Sequence, residues 1–223
     1  MAINKAAIAK MIDHTLLKAA STREEVMRLC DEGKRLGFAA VVVNPTYVSL
    51  ASRLMKGTGV KVDTVVGFPL GANTPEVKAY EAWNCLVNGA DELDMVMNVG
   101  ALKSGNLDLL KKDIEGVVRV AKARRALTKV ILETCYLSRE EKVNACLVVL
   151  ESGADFVKTS TGFGAHGATV DDVKLLKELV SNKIGVKASG GIRTYQEALS
   201  MIEAGATRLG SSSGVQILSE APE

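Results

Sequence analysis

The chain has 223 residues, 47% of them hydrophobic, which is enough for a substantial core in one large domain or two small ones. With 28 basic against 26 acidic residues, a net charge of +2 and 4% aromatics, it lacks the marks of a polyanion binder or a base-stacking surface, so nucleic acid is not an expected partner. No run approaches the roughly 18 apolar residues of a membrane span, and "MAINKAAIAKMIDHTLL" holds no long apolar signal core, so a soluble cytoplasmic protein is expected.

In chain order, eight stretches read as strands: 11–17 (MIDHTLL), 39–44 (AAVVVN), 61–68 (KVDTVVGF), 92–98 (ELDMVMN), 129–135 (KVILETC), 155–160 (DFVKTS), 185–189 (GVKAS) and 207–212 (TRLGSS). Helices fall between them, with start signals at Ser21-Thr22-Arg23-Glu24, Thr74-Pro75-Glu76 and Ser138-Arg139-Glu140. Four units repeat one grammar: "LGFAAVVVN", "NGADELDMVMN", "SGADFVKTS" and "AGATRLGSS" each place a Gly and small residues between a helix and an apolar run. Cys30, Cys85, Cys135 and Cys146 have no paired short spacing and fit small buried hydrophobes in a reducing compartment.

The strands are mostly unbroken by polar residues, as in a parallel sheet covered on both faces. Strict alternation of strand and helix implies right-handed crossovers. Eight units with no linker give a single-domain (β/α)8 TIM barrel over residues 1–223. The alternative, an open doubly wound sheet, would more naturally carry a Gly-rich turn after its first strand, and "DHTLLKAAST" has none.

A barrel of this kind reacts at the C-terminal ends of its strands. Lys158 in "ADFVKTSTGF" and Lys187 in "IGVKASGG" each follow two apolar strand residues and precede small polar ones, so both are expected inside the barrel or at its mouth. Lys61 and Lys129 open their expected strands and read as bottom-rim residues reaching solvent. At pH 7 only about one ordinary lysine in 2,500 is neutral. Burial and a neighbouring ammonium both lower the pKa, and a drop of about three units would leave half the amine nucleophilic, as a Schiff base requires. Spacing alone leaves open which lysine attacks and which stays charged.

Asp94, within an apolar strand, is a candidate acid/base group or else a structural ion-pair partner; Asp91 and Glu92 precede that strand and read as solvated. Asp13 and Thr15 either extend the relay or bond locally. His14 alternates with Asp13 and is taken as structural. Thr161 and Gly162, then Ser189, Gly190 and Gly191, then Gly210, Ser211 and Ser212 form three glycine and hydroxyl loops at the last strand ends, a pattern suited to a phosphorylated carbonyl or sugar. His14 and His166 lack partners at ligand spacing, so no metal is expected; "GFGAHGA" lacks the rest of a dinucleotide fingerprint and reads as a strand-to-helix loop.

The motifs "IDHTLLK", "VVVNP", "VVGFPLG", "DELDMVMNVGAL", "FVKTSTGFG", "VKASGGIRT" and "GSSSGV", in this order over nearly the whole chain, resemble class I deoxyribose-phosphate aldolase. The resemblance implies that Lys158 is the Schiff-base nucleophile, Lys187 the neighbouring cation and Asp94 the proton donor and acceptor, with Asp13 near the substrate hydroxyl. It also implies a 5-phosphate held by the glycine loops, no metal or organic cofactor, and a homodimer. The implied reaction is reversible cleavage of 2-deoxy-D-ribose 5-phosphate to D-glyceraldehyde 3-phosphate and acetaldehyde in deoxynucleoside catabolism. Two features depart from some family members: Phe163 stands where a lysine follows the "TST" motif, and the chain ends "ILSEAPE" without a terminal tyrosine. Competing readings are another Schiff-base barrel enzyme, for a keto-acid phosphate or dihydroxyacetone transfer, and a catalytically silent phosphosugar-binding barrel.

Overall fold

The computed structural model describes residues 3–223. Each of the eight expected runs overlaps a strand, and seven enclose it: β1 Ile12–Leu16, β2 Ala40–Val43, β3 Lys61–Val66, β4 Glu92–Val96, β5 Leu127–Ile131, β6 Phe156–Lys158, β7 Gly185–Ser189 and β8 Arg208–Ser211. Each pairs in parallel with the next, and β8 pairs with β1, closing the barrel. The helices are α1 Lys5–Ala9, α2 Arg23–Leu36, α3 Val48–Met55, α4 Pro75–Val87, α5 Val99–Lys103, α6 Leu107–Ala123, α7 Arg139–Glu151, α8 Val170–Val180, α9 Tyr195–Glu203 and α10 Gly214–Glu220.

Local chemistry fixes these boundaries. Thr22 and Ser138 each complete a capping box, with Glu25 and Glu141, at the starts of α2 and α7. Thr74 caps α4, whose first residue is Pro75. The glycine of each repeated unit (Gly37, Gly89, Gly153, Gly205) has positive φ, which lets the chain leave a helix and turn into the next strand.

Outward strand residues such as Ile12, Val41, Val62, Leu93, Met95, Val130, Val157, Val186 and Leu209 are buried beneath the helices. At about 1.5–3 kcal/mol per large apolar side chain, this shell between strands and helices drives folding. Inside the barrel the pairing register stacks the inward residues in layers drawn from alternate strands. Asp13, Asp63, Lys129 and Lys187, from β1, β3, β5 and β7, share one level. Glu92, Phe156 and Arg208 lie below with Ala40; Val42, Asp94, Lys158 and Gly210 lie above. Branched apolar side chains ordinarily fill such layers. Here the middle one is wholly charged.

Two expectations are corrected by this register. β5 starts at Leu127 rather than Lys129, so Lys129 is its third residue, points inward and is fully buried. Glu92 is the first residue of β4 and is also buried, because its inward phase carries it under Lys129. Lys61 and Asp91 are exposed, as expected.

Candidate active site

Lys158 ends β6 beside Lys187 of β7, its direct register partner. Asp94 Oδ2 lies 2.6 Å from both amines, and Asp94 Oδ1 accepts from Lys129 at 2.9 Å. Lys187 also reaches Asp13 at 2.5 Å and Asp63 at 3.2 Å. Lys129 reaches Asp63 at 2.7 Å and Glu92 at 2.8 Å, and Arg208 closes the lower side on Asp13 at 2.7 Å and Glu92 at 3.2 Å. Four carboxyls and four basic groups thus fill the barrel. Asp13, Asp63 and Glu92 alone would make a carboxylate donor set for a cation, but Lys129, Lys187 and Arg208 already compensate it.

This arrangement splits the lysines electrically. Burial lowers the Lys158 pKa, the Lys187 charge lowers it further, and Asp94 only partly opposes them. Burial acts against the Lys187 charge as well, yet Asp13 and Asp94 outweigh it and raise its pKa. Lys129 is raised in the same way by Asp63, Asp94 and Glu92. Burial disfavours the Asp94 anion, but three lysines hold it well below the ordinary carboxylate value; Asp13 is lowered by Lys187, Lys129 and Arg208. One amine inclines to neutrality beside cations that do not.

A cavity of about 270 Å³ opens at the C-terminal ends of the strands. Lys158 lines it, together with Thr161, Gly162, Ser189, Gly190, Gly191, Gly210, Ser211 and Ser212, so every loop residue singled out in the sequence meets there. Lys187, Asp94 and Asp13 are not on its wall. Lys187 and Asp94 stand directly behind Lys158, and Asp13 lies beneath Lys187, fully buried and 2.5 Å from its amine. Thr15 donates to the Asp13 carbonyl, a bond within the strand. His14 faces outward to Glu32 at 2.7 Å, as its alternation with Asp13 requires.

The loops are stitched to one another. Ser189 Oγ donates to the Ser160 carbonyl at 2.5 Å, Ser211 Oγ to the Ile192 carbonyl at 2.6 Å, and Ala168 N–H to the Ser189 and Gly190 carbonyls. A side chain at Gly167 would collide with the Gly190 carbonyl, so the 162–168 loop lies directly against the Gly190 turn. Gly210 serves the interior too: a Cβ there would sit 2.9 Å from Ser189 Cβ and 3.2 Å from the Lys187 stem. Ser211 and Thr161 hydroxyls are committed within the protein, Thr161 to the buried carboxylate of Glu133, while Ser212 is exposed. Phe163 stacks edge-on against Phe68 at 5.3 Å, an apolar contact beside the cavity.

Sequence reasoning missed Asp63, Lys129, Glu92 and Arg208 inside the barrel and Arg193 and Lys18 on the cavity wall. The signal for Asp63 is a lone acid at the third position of "KVDTVV", in inward phase. For Lys129 it is "LTKVI", once Leu127 is taken as the strand start.

A closed (β/α)8 barrel presenting one buried, cation-flanked amine to a cavity at the strand ends is an enzyme architecture suited to carbonyl chemistry through a lysine. Residues 7–220 match the family described as DeoC/LacD family aldolase. The chain is 61% identical over 211 residues to a deoxyribose-phosphate aldolase of Geobacillus sp. (strain WCH70), covering 95% of this chain and 94% of the relative. It is 59% identical over 213 residues to one from Thermococcus gammatolerans, covering 95% of each. The solved deoxyribose phosphate aldolase of Aeropyrum pernix, described as a tetramer, superposes with a TM-score of 0.91 at 38% identity, over 96% of this chain and 91% of that one. The chain belongs to the DeoC/LacD family of aldolases.

Proposed function

We propose that the protein is a 2-deoxy-D-ribose 5-phosphate aldolase, a lyase that reversibly yields D-glyceraldehyde 3-phosphate and acetaldehyde in deoxyribose phosphate catabolism. The observation that carries this reading is Lys158: it is the one member of the interior charge cluster that lines the cavity, and its charged form is disfavoured by burial and by Lys187. Neutral Lys158 adds to the C1 aldehyde of the open-chain sugar, and loss of water gives an iminium. The C3 hydroxyl proton leaves through solvent in the cavity, the C2–C3 bond breaks, and the iminium accepts its electron pair. Glyceraldehyde 3-phosphate departs, the enamine is protonated at C2, and hydrolysis frees acetaldehyde and the amine. Lys187 keeps its charge and keeps Lys158 neutral; Asp94, against both amines, conducts protons between them.

Thr161, Gly162, Gly190, Gly191, Gly210, Ser211 and Ser212 surround the phosphate, with Arg193 and Lys18 supplying positive charge at the same wall. The chemistry needs no metal or organic cofactor. Four free thiols, three of them buried, suit a reducing cytoplasm. A homodimer is the assembly we expect. Borohydride reduction in the presence of acetaldehyde, followed by peptide mapping, tests the core of this reading. The adduct belongs on Lys158; an adduct on Lys187 or Lys129 instead would overturn the assignment.

A further inference from the structure

The charge count inside the barrel has a chemical consequence. Asp13, Asp63, Glu92 and Asp94 face Lys129, Lys158, Lys187 and Arg208, four against four. If Lys158 is neutral, as the aldolase reading on which this inference rests demands, one negative charge is left over in a sealed interior. A buried, uncompensated carboxylate is costly, so a proton should reside on one of the four.

The geometry selects which. Asp94 bonds cations through both oxygens and Glu92 meets Lys129 and Arg208; Asp13 takes Arg208 on Oδ1, and its Oδ2, though it accepts no aligned hydrogen bond, lies 2.5 Å from the Lys187 ammonium. Asp63 is fully buried and uses Oδ2 for both Lys129 and Lys187; its Oδ1 has no hydrogen-bond partner among the described residues. Around it stand Asp13 from β1, the apolar Val42 from β2, Glu92 and Asp94 from β4, Lys129 from β5, Lys158 from β6, Lys187 from β7 and Arg208 from β8. We infer that Asp63 is a positioning residue that holds the proton Lys158 gives up, so that the nucleophile becomes neutral without any proton leaving the site.

The transfer balances along contacts already in place. Lys187 passes a proton to Asp63 at 3.2 Å, takes one in its place from Asp94 at 2.6 Å, and Asp94 Oδ2 takes one from Lys158 at 2.6 Å, the three moving together so that no ammonium accepts a further proton. At the end Lys158 is an amine, Asp63 an un-ionised acid, and Asp94 and Lys187 are unchanged. The site's net charge stays constant. Burial first, then Asp94, push the Asp63 pKa up to about 7, against the pull of Lys129 and Lys187, so the acid form is accessible at neutral pH.

Infrared spectroscopy of the wild-type protein, isotopically labelled at aspartate, reads the state directly. An un-ionised carboxylic acid band should be present at pH 6 and titrate away as the pH rises through about 7. The same band should be missing from both Asp63→Asn and Asp63→Ser. In Asp63→Asn, which fixes the residue in the neutral form it already holds along the acid limb, that limb of the kcat/KM profile should stay within about 0.3 pH unit of wild type, whereas removal of an ionised carboxylate would move it lower. A wild-type protein without the band, a band that survives both substitutions, or an acid limb that moves a pH unit or more lower in Asp63→Asn would each overturn the inference. Acetaldehyde trapping on Lys158 is scored separately: its failure removes the aldolase reading while the infrared result stands on its own.

Discussion

Lys158 and Lys187 are the same side chain at adjoining register positions, yet their surroundings give them opposite titrations. Asp94 touches both, so the difference comes from Asp13 and Asp63, which reach Lys187 and leave Lys158 facing the cavity. Replacing Lys187 with Met removes the charge that depresses Lys158 and leaves Asp13 and Asp94 less compensated; both effects raise the Lys158 pKa. The acid limb of kcat/KM should therefore move to higher pH, and activity at pH 7 should fall at least about tenfold for each unit of the shift. A pH–rate profile checks this, and a limb that moved down would contradict it. Arg193 tests the other end of the cavity: Arg193→Ala should raise KM for the phosphorylated sugar more than it lowers kcat, because the lost contact is made equally before and during bond cleavage.

The elements explain why single residues sit where they do. β4 ends in Val96, whose carbonyl accepts from Lys78 of α4 at 2.8 Å, while Asn98 N–H donates to Asp113 of α6. Lys78 and Asp113 are fully buried and 2.6 Å apart, so two helices clamp the strand that carries Asp94. Asp113→Ala strands a buried ammonium and should cost about 3–5 kcal/mol in urea unfolding, whereas replacing the pair by Met and Leu should cost far less. Ser138→Ala, which breaks only a helix cap, should cost about 1 kcal/mol by the same measurement. The caps and the turn glycines were readable locally, since a hydroxyl three residues before a Glu satisfies free helix N–H groups wherever it occurs. The phase of β5 was not: a two-residue error in its start turned Lys129 from an interior cation into a supposed rim residue.

For the whole molecule, the interior charges set how stability varies with pH. Asp13 and Asp94 have folded pKa values below the ordinary 3.8, so their contribution is complete above that value and lost as the pH falls from there through their lower folded values. Asp63 runs the other way: with a folded pKa of about 7, its contribution is complete below 3.8 and lost as the pH rises from there to about 7. Urea unfolding should therefore show greatest stability on the mildly acidic side; a steady rise from pH 4 to pH 8 would contradict this. For the homodimer proposed above, light scattering should report about twice the 23.6 kDa chain mass, and a particle of the chain mass alone would contradict it.

By itself the sequence determined the alternation of eight strands and helices, the interior placement of Lys158 and Lys187, and the three loops that meet at one cavity, because these follow from local periodicity, turn chemistry and motif order. Only the tertiary structure decided which charges face one another. Asp63, Lys129, Glu92 and Arg208 lie on four different strands, far apart in the chain, and become neighbours only when β8 returns to β1. Barrel closure fixes their level by the register of every intervening strand, so each titration is a property of all eight strands together.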